Sequence, residues 1–240
     1  MPEPDLIHPD TAPHTLRVAT ATASQTASWS ALPAALQREL RTDHAGEAGA
    51  VMIYRGVLAV ARCPALRGFA RHHLQTEQQH LHLTEALVPP GARSRLLPLW
   101  HLAGWLTGAL PAVLGPQAVY ATIAAVETFV DRHYAAQVQW IDTHTHTHTE
   151  TETETETETE TETETDPGSA AAPRPGPPAA ALHALRALLE RCRLDEVLHR
   201  DDAIARRAVP GRWPARWAAA AWVALVAGGS AAAVRISRRL

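Results

Sequence analysis

Apolar positions recur at three- and four-residue steps along most of the chain, and stop signals cut that pattern into blocks. The first block runs from about Pro33 to Arg62 and closes at CPAL, where Pro64 cannot continue a helix. The second runs from about Leu66 to Val88 and stops at Pro89-Pro90-Gly91. A connection this short predicts two antiparallel neighbours. From Leu96 to Val126 there is no Asp, Glu, Lys or Arg, but Pro98, Pro111 and Pro116 interrupt the run. It is therefore read as a short apolar helix near Leu99–Leu110 followed by a helix from about Gln117 to Ile141, not as one clean membrane span. A further helix is expected from about Ala180 to Ala208. The last segment, Trp217 to Val234, is uncharged and flanked by Arg. It reads equally as a marginal membrane span, a helix packed on the others, or one lying at an interface.

One stretch obeys a different period. Residues 143–166 alternate Thr-His and then Thr-Glu, and DPGSAAAPRPGPP follows. A period of two would place all its His and Glu on one side of a strand, but no apolar face exists to fold such a strand. Expansion of a short coding repeat explains its regularity better than a metal-binding comb, with His144, His146 and His148 left as casual ligands. The expected organisation is a disordered segment over 1–32, the first part of a helical domain over 33–142, an insertion over 143–179, and the remainder of the domain over 180–240.

Composition supports helices: hydrophobic residues make up 46% and aromatics only 5%. The formal charge of −3 is dominated by the insertion, where Glu150 to Glu164 occupy alternate positions. Without them the chain is net basic and rich in Arg, a balance compatible with an anionic membrane surface or with a plain solvated face. Cys63 and Cys192 are far apart and in no CxxC pattern, so neither a disulfide framework nor a zinc site is expected. The first residues lack the basic-then-apolar order of a signal peptide.

Two Glu-x-x-His patterns change the picture: EQQH (Glu77, His80) and EVLH (Glu196, His199). On a helix each pattern points a carboxylate and an imidazole the same way. Alone, either could be a solvated surface pair. The other two long helices each carry a Glu in an apolar setting, Glu47 in DHAGEAGAVMIYRG and Glu127 in YATIAAVETFVDRHY. A lone Glu on a buried face is costly unless paired or bound to a metal. Tyr120, Ile123, Glu127, Val130 and Tyr134 fall on one stripe, and so do Leu189, Cys192, Glu196, His199 and Ala203. One Glu from each of two helices and one Glu-x-x-His from each of two others is the donor set of di-iron and di-manganese carboxylate bundles. Four carboxylates offset two divalent ions, and oxygen and nitrogen donors without thiolate suit iron or manganese. Around these residues, Asp43 and His44 are candidates for orienting or capping roles, His133 and Tyr134 for hydrogen bonding near Glu127, and Asp201 and Asp202 for orienting His199. Gly46, Gly49 and Gly56 weaken a helix, so they imply close helix approach or room beside Glu47.

The blocks LRTDHAGEAGAVMIYRGVLAVAR, TEQQHL, PLWHLAGWLTGAL, AVETFVDRHYAAQ and LDEVLHRDDA resemble, in order, the demethoxyubiquinone hydroxylase family of ubiquinone biosynthesis. The resemblance implies an all-α, ferritin-like four-helix bundle with additional apolar helices at the membrane interface. It implies a non-haem di-iron centre of two iron ions per chain, held by Glu47, Glu77, His80, Glu127, Glu196 and His199. It implies hydroxylation of a polyprenyl methoxy-methyl-benzoquinol with O₂ as co-substrate and NADH as reductant. Peripheral attachment to the cytoplasmic side of the cell membrane goes with it, and other ubiquinone-biosynthesis proteins are candidate partners; nucleic acid is not. The tract departs from the family, whose corresponding connection is much shorter. A ferritin-like ferroxidase or peroxide scavenger would use the same donors without lipid access, and a small integral membrane protein would leave the Glu-x-x-His pairs unexplained. Trp100, Trp105, Trp213, Trp217 and Trp222 are placed as interfacial anchors would be, core packing being the alternative.

Overall fold

A computed structural model describes residues 29–155, 179–207 and 213–238. Six α-helices and two short 3-10 turns carry them: α1 (Ala34–Val60), α2 (Pro64–Leu87), α3 (Leu97–Leu114), α4 (Pro116–Thr155), α5 (Ala179–Ala205) and α6 (Trp213–Ser237), with the turns at Trp29–Ala31 and Pro90–Ala92. Among the described residues there is no strand. Most of the disordered segment and most of the insertion expected from sequence fall on residues outside those described; residues 29–32 are ordered, with Trp29–Ala31 in a 3-10 turn that Gln37 holds and Leu32 buried in the core.

The α1–α2 corner is short because Pro64 opens α2 at its first turn. Arg67 closes it, donating to the Leu58 carbonyl at 2.7 Å and the Ala61 carbonyl at 3.0 Å. Those are carbonyls that the end of α1 would otherwise leave unpaired. Arg93 does the same for α2, donating to the carbonyls of Glu85 and Val88. α1 packs on α2 and α3, α4 packs on α5, and α6 lies mainly against α4.

Two apolar layers fill the bundle. One gathers Leu36, Leu40, Leu83, Leu87, Val138, Ile141, Leu185 and Leu189. The other gathers Ile53, Val57, Leu66, Phe69, Val119, Ile123 and Ala203. Between them, at the middle of four helices, lie the buried polar residues Glu47, Glu77, His80, Glu127, Glu196 and His199. The order along each helix shows why: Leu40–Glu47–Ile53 on α1, Phe69–Glu77–Leu83 on α2, Ile123–Glu127–Val138 on α4, Leu189–Glu196–Ala203 on α5. Each helix places its charged positions on its buried stripe and guards them with hydrocarbon on both sides.

Two helices differ from expectation. α3 is longer, running through Pro111 to Leu114. Pro98 sits in its first turn, where a missing N–H costs little, and the break comes at Gly115 with φ 105°. α3 is held on α1 by glycine. A methyl group at Gly104 would overlap the Gly49 carbonyl, one at Gly108 the Ile53 carbonyl, and one at Gly56 the Trp105 carbonyl. Gly46 instead meets open space, so both roles weighed for these glycines occur. α4 does not stop at Ile141 but continues through the Thr-His repeat to Thr155. Adding a residue to a formed helix is much easier than starting one. Here Trp140 stacks on His144 at 3.8 Å, and buried Thr145 donates to the Ile141 carbonyl at 2.5 Å.

Candidate metal centre

The six sequence-predicted residues arrive together. Two overlapping sets have donor atoms all within 4.8 Å of one another: Glu47, Glu77, His80 and Glu196, and Glu77, Glu127, Glu196 and His199. Glu77 and Glu196 belong to both sets. The pattern is that of two adjacent positions, one served by Glu47 and His80, the other by Glu127 and His199, with two carboxylates between them. His80 Nδ1 lies 3.1 Å from Glu196 Oε1 and 3.7 Å from Glu47 Oε2. His199 Nδ1 lies 2.9 Å from Glu77 Oε1 and 3.4 Å from Glu196 Oε2.

Of these contacts, His80 Nδ1–Glu196 Oε1 has hydrogen-bond geometry, and much of the rest of the cluster is left unpaired. Glu47 Oε2, both oxygens of Glu77, Glu196 Oε2 and His199 Nδ1 are buried without a hydrogen-bond partner. Unpaired buried polar atoms are expensive, and four carboxylate oxygens gathered with an imidazole nitrogen call for a cation. Charge gives the same answer. Burial raises Glu47, Glu77 and Glu127 above the ordinary carboxylate range, and neighbouring carboxylates reinforce it. Burial would raise Glu196 too, but contacts from His199 and His80 hold it at about 2. Burial opposes charge on the rings, yet Glu196 and Glu77 lift His199 to about 9, and Asp195 and Glu196 lift His80 well above its ordinary value. The cluster retains protons to limit repulsion among four carboxylates. Two divalent cations would neutralise those carboxylates and release the protons. The donors therefore fit two hard or borderline divalent ions. Cys192 lies one turn before Glu196, but burial pushes its thiol to about 12, which disfavours a thiolate donor.

A surrounding layer fixes the donors. Tyr134 donates a hydrogen bond to Glu47, and Tyr54 donates to Glu127 at 3.2 Å. His80 Nε2 is paired with Asp195 at 3.1 Å, which turns Nδ1 toward the cluster. His73 packs its ring edge-on to His199 at 4.4 Å and pairs with Asp202 at 2.9 Å. Burial and His199 push His73 down to about 4, so the ring is neutral at neutral pH. Asp202 is held ionised: burial opposes this, but Arg206 and His73 outweigh it.

Several expected supporting roles shift. Asp202 holds His73 and not His199, and Asp201 pairs with Arg200 at 2.9 Å. Asp43 sits inside α1, so it caps nothing; it accepts from His133 at 3.0 Å and Gln137 at 2.7 Å. His44 is buried with neither ring nitrogen hydrogen-bonded, and burial with nearby Arg93 lowers its pKa. Tyr54, His73 and Asp195 were not singled out from sequence. His73 had a signal, since it precedes Glu77 by one turn and shares its face. Trp222 packs inward, donating to Thr122 at 2.7 Å, Trp105 is 36% exposed, and Trp100 is half-buried. The side chains of Trp213 and Trp217 lie outside those described.

A cavity of about 290 Å³ reaches the cluster. Glu47, Glu77, Glu127 and Glu196 form its polar end, and Ala103, Val126, Phe129, Val130, Val226 and Val234 are among its apolar walls. It is bounded chiefly by α1, α3, α4 and α6. Two of those helices are long and apolar enough to cross a membrane by length and composition: Leu97–Leu114, at mean hydropathy 1.3, and Ala220–Ser237, at 1.4. On α3, Leu99, Leu102, Leu106, Leu110, Val113 and Leu114 are exposed.

A family described as ubiquinone biosynthesis protein COQ7 matches residues 34–237. The chain is 50% identical over 109 residues to a 3-demethoxyubiquinol 3-hydroxylase of Rhodospirillum rubrum, covering 44% of this chain and 51% of that protein. It is 36% identical over 108 residues to the mouse NADPH-dependent 3-demethoxyubiquinone 3-hydroxylase, mitochondrial, covering 44% and 50%. With the yeast 5-demethoxyubiquinone hydroxylase, mitochondrial, identity is 36% over 112 residues, covering 43% and 46%. The chain spans about half the length of these curated relatives. The matched span includes every helix of the bundle and all six clustered donors, and the chain belongs to the COQ7 family of ubiquinone biosynthesis proteins.

Proposed function

We propose that this chain is a non-haem di-iron monooxygenase that hydroxylates the ring of a polyprenyl methoxy-methyl-benzoquinol, the activity of a 3-demethoxyubiquinol 3-hydroxylase. The observation that carries this reading is an apolar cavity ending on two overlapping carboxylate–imidazole donor sets. Glu47, Glu77, His80, Glu127, Glu196 and His199 would hold two iron ions. When bound, these would supply the activation of O₂ that a side chain cannot provide. NADH is the proposed reductant.

The rest is work for the chain. Tyr134 and Tyr54 restrain Glu47 and Glu127, and Asp195 restrains His80, so the donors keep their positions. The hydrocarbon walls exclude water from the reacting ring and favour a prenylated substrate over a soluble phenol. The exposed apolar row of α3 and the weakly buried α6 suit seating at a membrane surface, and both helices line the cavity. The proposed place is the cytoplasmic side of the cell membrane, peripherally attached. A ferroxidase or peroxide scavenger would need the donors but not these walls.

Two measurements test the reading. Purified protein should hold about two iron per chain. It should also restore the missing product in a bacterial strain lacking this hydroxylase, with quinones read by mass spectrometry. Iron oxidation without any quinone conversion would favour the storage or scavenging reading.

A further inference from the structure

The donors are approached a second time, from α2 and α5. A cleft of about 320 Å³ is lined by His72, His73, Thr76, Asp195, Leu198, His199 and Asp202. Its chemistry is the reverse of the apolar cavity: imidazoles, carboxylates and a hydroxyl, with one leucine. α2 and α5 touch each other along only a short seam, which leaves this gap between them.

Each rim carboxylate connects to a proposed ligand, Asp195 directly and Asp202 through one imidazole ring. Asp195, 38% exposed at its side chain, pairs with His80. Asp202, 31% exposed, pairs with His73, whose ring rests on His199. His73 is 3% exposed and lines the cleft. Its Nε2–H donates to Asp202, a carboxylate that can only accept. The lone pair of Nδ1 is therefore free, and Nδ1 is buried without a hydrogen-bond partner. The His73 ring thus sits between a partly exposed carboxylate and a proposed ligand and carries a buried, unpaired nitrogen able to bind a divalent cation.

We infer that this cleft is the port through which divalent metal reaches the cluster, with Asp195, Asp202, His72 and His73 as transient ligands. The inference rests on the metal-centre reading above. Fe²⁺ and Mn²⁺ accept oxygen and imidazole donors, and a hydrated ion would lose far more solvation crossing the hydrocarbon cavity than crossing this polar wall. Lipid and ion then need not share a route.

The test uses the metal-free full chain mixed rapidly with Co²⁺ or, anaerobically, Fe²⁺ alone, and it reads uptake rate and final stoichiometry. Leu198 is 63% exposed and lines the cleft without contributing a donor, so its charge can be changed without removing a ligand. At low ionic strength Leu198→Lys should slow uptake about tenfold and Leu198→Glu should speed it by a similar factor. High salt should compress the difference, and both variants should still reach the wild-type stoichiometry. Ala103→Trp, which narrows the apolar cavity, should leave the rate unchanged. Equal rates for wild type and both Leu198 variants, with normal stoichiometry, would overturn the port alone. Slowing by Ala103→Trp would also overturn it, by placing access on the apolar side. Failure of the wild-type chain to take up either metal would overturn the metal centre itself and the port with it.

Discussion

The cavity bounded by α1, α3, α4 and α6 and the cleft between α2 and α5 reach one cluster through walls of opposite character. The first is mostly methyl and methylene groups and ends on carboxylates. The second is imidazole and carboxylate from its rim inward. On the proposed function, a site that takes a greasy ring and divalent ions must reconcile two solvents. The helices would divide between them: α3 and α6 add hydrocarbon on one side, while on the other α2 and α5 stand slightly apart. The difference teaches that wall chemistry reports the visitor more directly than cavity size, since the two volumes are nearly equal.

The strongest way to erase the comparison is to remove what both sides share. Glu196→Ala deletes a donor common to both sets and should reduce bound metal from about two per chain to near zero by elemental analysis, with hydroxylation lost in parallel. Ala103→Trp should separate the sides: quinol conversion falls about tenfold or more in the complementation assay while metal content holds. Retained conversion would mean that the substrate does not use this cavity. Acid–base behaviour sharpens the contrast between bare and loaded protein. His199 rises from its ordinary 6.5 to about 9 on folding, and His80, Glu47, Glu77 and Glu127 are raised as well. Between pH 7 and 9 the bare folded chain therefore binds more protons than the unfolded chain, and its stability falls as pH rises. Glu196, held at about 2, is ionised in both states there and adds no slope. Thermal melts at pH 7, 8 and 9 should show Tm declining for metal-free protein and nearly constant for loaded protein, whose ligands have already lost those protons. A smaller effect is expected of Tyr134→Phe, which removes one buried hydrogen bond to Glu47: stability should drop by about 1–2 kcal/mol in denaturant titration, with metal affinity down about tenfold. Smallest of all, replacing residues 156–178 by a Gly/Ser linker of equal length should leave metal content and Tm unchanged.

Much of this was legible in the chain. Spacing alone put Glu77 beside His80 and Glu196 beside His199 on single helix faces, and a lone Glu in an apolar run signalled burial at positions 47 and 127. Local periodicity reports such same-helix relations well. It cannot report which residue of another helix will arrive opposite, so Asp202 was assigned to the wrong histidine, and Tyr54 and Asp195 went unmarked. Proline in the apolar stretch is a weaker stop than its chemistry suggests: Pro111 lies inside α3, where packing by Gly104 and Gly108 outweighs one missing hydrogen bond. The Thr-His repeat was read by its composition, but its first residues inherit the helix that precedes them, because extending a helix costs little.

The glycine contact of α3 with α1 sets an altitude. Backbone rests on backbone at Gly104 and Gly108, with no side chains between to cushion or re-pack. α3 can neither settle nor ride up by a fraction of a turn without collision. α1 is also the helix that carries Glu47. If, as proposed, the exposed row from Leu99 to Leu114 seats in lipid and the cluster holds metal, those two glycines would act as a fixed stop between the bilayer plane and the metals. They would set how far a quinol rises from the membrane, and how many isoprene units of its tail leave the lipid with it.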